Sequence, residues 1–532
     1  MGLSDMRDFH FPGRSPVMAT NGICATSHPL AARTAVRVLE DGGNAVDAAI
    51  AAAAVLGLAE PQMTGLGGDC FVLLKPAGEQ RIVALNGSGR APKALNADAL
   101  RAEGHAAMPI RDVRSVTIPG AVDAFCRLHA DWGSMDLAEI LSPAIRYAKD
   151  GIPVAPRVAF DWQVAARDEH LSGRAKDFYL CHGDHAYHQG HLFTAPGQAD
   201  VLKRIAREGR AGFYEGPVAE DMVASLRAMG GTHTLEDFAA TACDYTTPVA
   251  GTYKGTDLVE HPPNGQGATA ILMNNIIAQF DLSDPWSAQR AHIEAEASKL
   301  AYDARNRFIA DANHTARLAH MLAPETATKL AALIDPKRAM TTPAAVTESV
   351  HKDTVYLTVV DRDQMAVSMI YSIYHSFGSG LASDKYGLLF QNRGAGFTLE
   401  QGHPNEAGGG KRPMHTIIPG MLMRNDKVIM PFGVMGGAYQ PCGHSRFVTN
   451  MVDHGLDAQA ALDAPRCFSD AGEMKIERGY SDAVRNQLSE MGHNVVVPEG
   501  PLGGGQAIRI DWDQGVLIGA SDARKDGCAV GY

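Results

Sequence analysis

The chain is poor in the features that would mark it as a membrane, secreted or nucleic-acid-binding protein. Its eight cysteines, at 24, 70, 126, 181, 243, 442, 467 and 528, form no CxxC pair. That scatter excludes a zinc ribbon and a small disulfide framework, so reduced and mostly buried thiols are expected. No Lys/Arg run interleaves with aromatics, which argues against a nucleic-acid partner. Neither a fixed-period repeat nor a low-complexity block occurs. The opening MGLSDMRDFHFPGRSPVM lacks a continuous apolar stretch, so no secretory signal is expected. The apolar run Ile50 to Ala59 is too short to cross a bilayer and is flanked by Asp47 and Glu60. It reads as a buried helix, and the protein is expected to be cytoplasmic, with no membrane partner.

What remains is the composition of a soluble enzyme: 532 residues, 45% hydrophobic and 20% charged, with 55 glycines and 28 prolines for many tight turns. At the usual domain size this is roughly three domains' worth of chain, although large sandwich folds run longer as one unit. The net charge of -12 favours solubility and names no substrate.

Residues 1–20 read as an irregular lead-in. A helix is predicted from Pro29 to Leu39, ended by Gly42-Gly43, and a second from Ala45 to about Leu58, capped by Asn44. The glycine-rich turn GLGGD (65–69) leads into the strand-like CFVLL. Helical stretches follow at 137–151 and 220–231, with a strand pattern near GTYKGTDLVEH and a long amphipathic helix over 291–311. Residues 312–352, rich in Ala, Thr and Pro, read as an exposed, mobile tail that tolerates a cut.

At Thr354 the texture changes. TVYLTVVDRDQMAVSMIYSIY predicts two strands around a turn at 361–364, followed by strands in TIIPGMLM and KVIMPFGVM and a helix around RFVTNMVDHG. Strand pairs and helices in blocks suggest helices around sheets, not a doubly wound parallel sheet.

A threonine hydroxyl is a weak nucleophile until a base takes its proton. Placing Thr first in a chain lets its own α-amine, with an unperturbed pKa of about 7.7–8.0, be that base. HKD-TVYLTVVD suits such an arrangement, but β-branched residues start many strands for packing reasons alone. The local pattern leaves both readings open.

Longer stretches decide between them. GGNAVDAAIAAAAVLGLAEPQMTGLGGDCF (42–71), SVTIPGAVDAF (115–125), LSPAIRYAKDGIPV (141–154), GFYEG (212–216) and YDARNRFIAD precede the threonine. FGSGLAS (377–383), KRPMHTIIP (411–419), GVMGGAYQP (433–441), ALDAPR (461–466) and ASDARKDGCAVGY (520–532) follow it. In this order and spacing they resemble the γ-glutamyltranspeptidase family of N-terminal-nucleophile hydrolases over nearly the whole chain, as a divergent member.

The resemblance implies an α+β fold, the αββα four-layer sandwich of such hydrolases. It also implies a precursor that cuts itself between Asp353 and Thr354. A large subunit 1–353 and a small subunit 354–532 would stay together as one intertwined domain. The Thr354 hydroxyl would attack the preceding carbonyl, water would open the ester, and the freed amine would later activate the same hydroxyl against substrate. No metal or organic cofactor is required, and the resemblance leaves a higher oligomer open.

By the same resemblance Thr354 is the nucleophile and Gly436-Gly437 the oxyanion-binding pair, with a tight turn the alternative for the latter. Ser372 stands where the family carries a second threonine that hydrogen-bonds the nucleophile; an ordinary strand serine is the alternative. The substrate pocket departs from the family. The arginine that holds a glutamate α-carboxylate falls at Ser88, and Arg90, two residues on, is either its substitute or a loop brace. The Asn–Gln–x–x–Asp cluster aligns with Asn392 to Gly396, so Gly396 replaces the ammonium-pairing carboxylate and Arg393 replaces the glutamine. Tyr374 replaces a strand asparagine, and His415-Thr416 replace a serine pair, with His415 a wall of the pocket and not a catalytic base.

Losing an anion and gaining a cation disfavours a free α-ammonium and favours an anionic or neutral acyl donor. Three functions follow. The first is a hydrolase or transpeptidase of γ-glutamyl amides. The second is an oxamate-type amidohydrolase or a dicarboxylyl, cephalosporin-type acylase on the same scaffold, which GSGRAP and the PPNGQG turn (262–267) resemble more closely. The third is a non-catalytic scaffold that binds small amides.

Overall fold

The computed structural model describes residues 13–340 and 354–532. The expected cleavage residue Asp353 lies outside the described residues, as do residues 1–12 of the lead-in.

Two seven-stranded antiparallel sheets form the centre. The first runs, in spatial order, Cys528–Gly531, Ile23–Thr26, Val355–Val360, Ala366–Ser372, Asp69–Lys75, Val83–Gly87 and Asp244–Thr246. The second runs Val17–Ala19, Val516–Ser521, Gly504–Asp511, Lys427–Met435, Gly420–Arg424, Thr256–Glu260 and Val249–Tyr253. Residues before and after Thr354 contribute strands to both.

Alternation along the strands decides which side chains meet which layer. In Ala366–Ser372, Val367, Met369 and Tyr371 face one core, shared with the helices Pro29–Glu40, Ala45–Ala59, Ala121–Trp132 and Leu137–Asp150. Ala366 and Ile370 face the other way, into the space between the sheets, where they meet Val428, Ile508, Ile417 and Met435. The second sheet is covered on its outer side by Gly267–Ile277 and Gln440–Val452, through Ile271, Phe447 and Val448 against Leu422 and Phe432. Helix, sheet, sheet and helix are the four layers of the expected αββα sandwich.

Ala45–Ala59 is buried on every side. Nine of its residues are alanine or glycine, small enough for close approach by neighbours all round. A capping box between Asn44 and Asp47 fixes its start. No described helix is long and apolar enough to cross a membrane.

Two expectations need correction. The tail predicted over 312–352 is folded in its described part. Leu318–Leu322 and Pro324–Ala331 are short helices, and Met321, Ala327, Ala331 and Ile334 are buried against Gly267–Ile277. Alanine and threonine read as loop by composition, but here they form two short helices opened by Arg317 and Pro324, with an apolar face. The lead-in, expected to be irregular to residue 20, supplies the edge strand Val17–Ala19.

Candidate active site

Register places the centre of the site. Val355 pairs with Tyr371, and Ser372 with Asp69. Thr354, one step before its strand, therefore lies across from Ser372, and Thr354, Ser372 and Asp69 line up over three neighbouring strands. Parity puts all three on the inter-sheet face, with Tyr356, Ile370 and Phe71 behind them.

The Thr354 and Ser372 hydroxyl oxygens are 3.2 Å apart, both buried. Ser372 Oγ also accepts the Tyr374 N–H at 2.9 Å. Arg393 donates to Thr416 Oγ1 at 3.0 Å and, at the long limit of 3.5 Å, to Ser372 Oγ. Its guanidinium lies 3.9 Å from the centre of the Tyr374 ring, a cation–π contact. Tyr374 reaches this place in the left-handed region, φ 81°, a costly conformation for an aromatic residue and one that clusters at functional sites. The sequence-predicted Thr354, Ser372, Tyr374, Arg393 and Thr416 thus form one connected group.

Arg393 is fully buried, and burial pulls its pKa down to about 10, against the opposing pull of Tyr374 and Asp69. Its Nε–H has no acceptor among the described residues. A buried guanidinium with an unmatched donor carries an unmet preference for an anion.

Asp69 does not supply that anion. Its Oδ1 accepts from the Gly89 N–H at 2.8 Å and Gln391 Nε2 at 2.7 Å, and its Oδ2 stands 2.9 Å from His415 Nε2. His415 Nδ1 accepts the Ile417 N–H, so the proton of the neutral ring sits on Nε2, facing the carboxylate. Burial first, then Arg393, push the His415 pKa down to about 3. Both ring nitrogens are engaged, and the ring ties its own segment to the start of the Asp69–Lys75 strand. Sequence reasoning noted the GLGGD turn but gave Asp69 no part; its partners are 20 to 346 residues distant, beyond any local pattern.

Gly436 has φ 125° and Gly437 φ 56°, and a Cβ on Gly436 would stand 3.0 Å from the Gly503 Cα. The pair ends the Lys427–Met435 strand, and the Gly437 carbonyl accepts from Gln266 Nε2 at 3.1 Å. The same amide donates to the Thr416 carbonyl at 2.6 Å, and Gln266 Oε1 accepts from Arg305 at 2.8 Å. Asn264, from the same PPNGQG turn, donates to Ser88 Oγ and to the Pro413 carbonyl, and its own carbonyl accepts the His415 N–H. The turn singled out in the sequence therefore holds the glycine pair and the His415-Thr416 segment together.

Arg90 lies elsewhere. It donates to Asp311 Oδ2 at 3.2 Å and to the Gly410 carbonyl at 3.1 Å, with Asp244 3.7 Å away. Of its two sequence readings, these contacts describe a loop brace.

The family model described as Gamma-glutamyltranspeptidase matches residues 31–532. The glutathione hydrolase-like YwrD proenzyme of Bacillus subtilis is 34% identical over 97% of this chain and 99% of that protein. The oxamate amidohydrolase proenzyme of Klebsiella pneumoniae is 32% identical over 97% of this chain and 99% of its own length. Among solved structures, a cephalosporin acylase from Bacillus halodurans superposes with a TM-score of 0.92 at 36% identity, covering 100% of this chain and 99% of that one.

Proposed function

The chain belongs to the γ-glutamyltranspeptidase family, and from that premise we propose a self-processing amidohydrolase that removes short acyl groups bearing a carboxylate, through an acyl-enzyme on Thr354. The observation that carries the donor class is Arg393: a buried guanidinium with a free N–H, one hydroxyl away from the nucleophile.

Cleavage between Asp353 and Thr354 exposes the Thr354 α-amine, which takes the proton from its own hydroxyl as that oxygen attacks the substrate carbonyl. The Ser372 hydroxyl orients the nucleophile. The tetrahedral oxyanion is held by the N–H groups of Gly436 and Gly437, where no Cβ obstructs approach. The protonated amine then serves the leaving nitrogen, and water repeats the sequence on the ester. The products of processing are a large subunit 1–353 and a small subunit 354–532, held in a cytoplasmic enzyme that needs no metal or organic cofactor for this chemistry.

Arg393 reaches Ser372, and Ser372 reaches Thr354, so a carboxylate on Arg393 is separated from the scissile carbonyl by only a short spacer. An oxamate-like donor, with the two carbons joined directly, suits this distance better than a glutamyl chain. A γ-glutamyl donor would also bring an α-ammonium toward Arg393, a like charge in a buried site.

The test is a panel on purified protein and its Thr354→Ala variant. Intact mass reads cleavage before Thr354, and ammonia or amine release is followed from oxamate, glutaryl amides and a γ-glutamyl anilide. Thr354-dependent release, fastest from oxamate-like donors, is the expected result. A preference for the γ-glutamyl anilide would overturn the donor class while leaving the nucleophile in place.

A further inference from the structure

The helix Ala288–Phe308 carries His292 and Glu296 four residues apart, so both side chains leave one face. The turn after Asp482–Glu490 brings His493 to the same face. One ligand atom from each of these buried residues lies within 4.8 Å of the others.

The histidine tautomers fit a ligand set. His292 Nε2 is 2.8 Å from the Asp335 carbonyl, which only accepts, so the ring proton is on Nε2 and the Nδ1 lone pair points at the cluster. Donation of the outer ring N–H to a backbone carbonyl is how metal-bound histidines are held. His493 Nε2 is 2.7 Å from that Nδ1. Glu296 is fully buried, with Oε1 2.6 Å from Lys299 Nζ and Oε2 accepting the Met340 N–H at 2.9 Å.

We propose that His292 Nδ1, His493 Nε2 and the Glu296 carboxylate bind a divalent transition-metal ion of the zinc type, with water as the fourth ligand. Two imidazoles and one carboxylate suit zinc-like ions and not calcium or magnesium. Tetrahedral bonds of about 2.0–2.1 Å require the two ring nitrogens to part from 2.7 Å to roughly 3.3 Å, a small swing of His493 on its turn. The His493 ring proton moves from Nε2 to Nδ1 as the ion binds, which frees the Nε2 lone pair for it. Lys299 competes with the ion for Glu296 and, being partly exposed, can turn outward.

The position gives the ion a use separate from the amide chemistry. Asp335 and Met340 belong to the last described stretch ahead of Thr354, and the Ala339 N–H donates to the Met491 carbonyl at 2.8 Å. A bound ion would clamp that stretch and its helix to the segment that carries His493.

The experiment uses processed, untagged protein, stripped with a chelator and titrated with zinc chloride by calorimetry and native mass spectrometry. Cobalt(II) serves as a visible reporter of tetrahedral geometry. One ion per chain is expected, with affinity at least about tenfold weaker in Glu296→Gln and in His493→Gln. Lys299→Gln is expected to bind more tightly, because the competing ammonium is gone, and this arm does not depend on either ligand variant folding. Thr354-dependent activity stays unchanged with and without zinc. Absence of a stoichiometric ion in the wild type, binding unaltered in both ligand variants, or a Lys299→Gln affinity that is unchanged or weaker would each overturn the proposal.

Discussion

A buried guanidinium favours whatever anion can reach its unmatched N–H, and for Arg393 that preference acts one hydroxyl away from Thr354. Arg393→Gln is expected to lower kcat/KM for carboxylate-bearing donors by roughly 10- to 100-fold, the worth of a charge-assisted hydrogen bond. Neutral amides should lose much less, and the ratio of the two is the measurement. The same cation disfavours a protonated α-amine on Thr354. Its removal should therefore move the acid limb of the kcat–pH profile to higher pH. A second residue, remote from the chemistry, sets a pH dependence of stability. Glu60 is buried beside Ser27, and desolvation, opposed by Lys525, pushes its carboxyl from an ordinary 4.5 up to about 7. A raised folded pKa means that the contribution is full below the ordinary value and is lost as pH rises through about 7. Glu60→Gln should be more stable than wild type at pH 8 by on the order of 3 kcal/mol, with the difference vanishing near pH 4, as read by denaturant melts at both values.

At the level of elements, the strand hairpin that carries Thr354 and Ser372 was legible because its apolar residues alternate and a polar turn divides them. The helices at Pro29–Glu40, Ala45–Ala59 and Leu137–Asp150 were equally open to reading, from caps and periodicity. The helices at 318–331 were not, since short Ala- and Thr-rich turns gain their stability from burial against Gly267–Ile277, which no local pattern records. The site divides in the same way. Thr354, Ser372, Arg393 and Thr416 were picked out by the family resemblance, and the structure brings them into one connected group, whereas the carboxylate Asp69, which joins four segments, became visible only when strands brought them together. Arg90 illustrates the converse: its place in a motif suggested substrate, and its ion pairs with Asp311 and Asp244 describe support. The GLGGD turn has a steric reason as well. A Cβ on Gly68 would stand 2.4 Å from the Ser372 carbonyl oxygen, a backbone atom that cannot yield without moving the strand end. Gly68→Ala is therefore expected to cost about 1–3 kcal/mol of stability and to slow both processing and turnover, which melting curves and a time course of cleavage by mass would show.

The whole molecule bears on what the proposed cleavage before Thr354 would do. Residues after that point give three strands to one sheet and four to the other, and those before it give four and three. Val355–Val360 lies between Ile23–Thr26 and Ala366–Ser372, and the latter pairs in turn with Asp69–Lys75. Removing residues 354–532 would leave Ile23–Thr26 without both partners and expose one edge of Asp69–Lys75. Each unpaired strand would present a row of backbone groups whose hydrogen bonds the fold now supplies. The apolar space between the sheets would open at the same time, since Ile23, Leu73 and Val259 come from one segment and Val360, Met421 and Ile508 from the other. Neither segment holds a complete sheet or a closed core, so a single cut in the connection loses no strand pairing. The processed protein should accordingly show two bands on a denaturing gel and one peak on native size exclusion, with one cooperative unfolding transition at the same temperature by near-UV and far-UV dichroism. Two native peaks, or two separated transitions, would mean that the segments fold independently, against what the interleaved strand order requires.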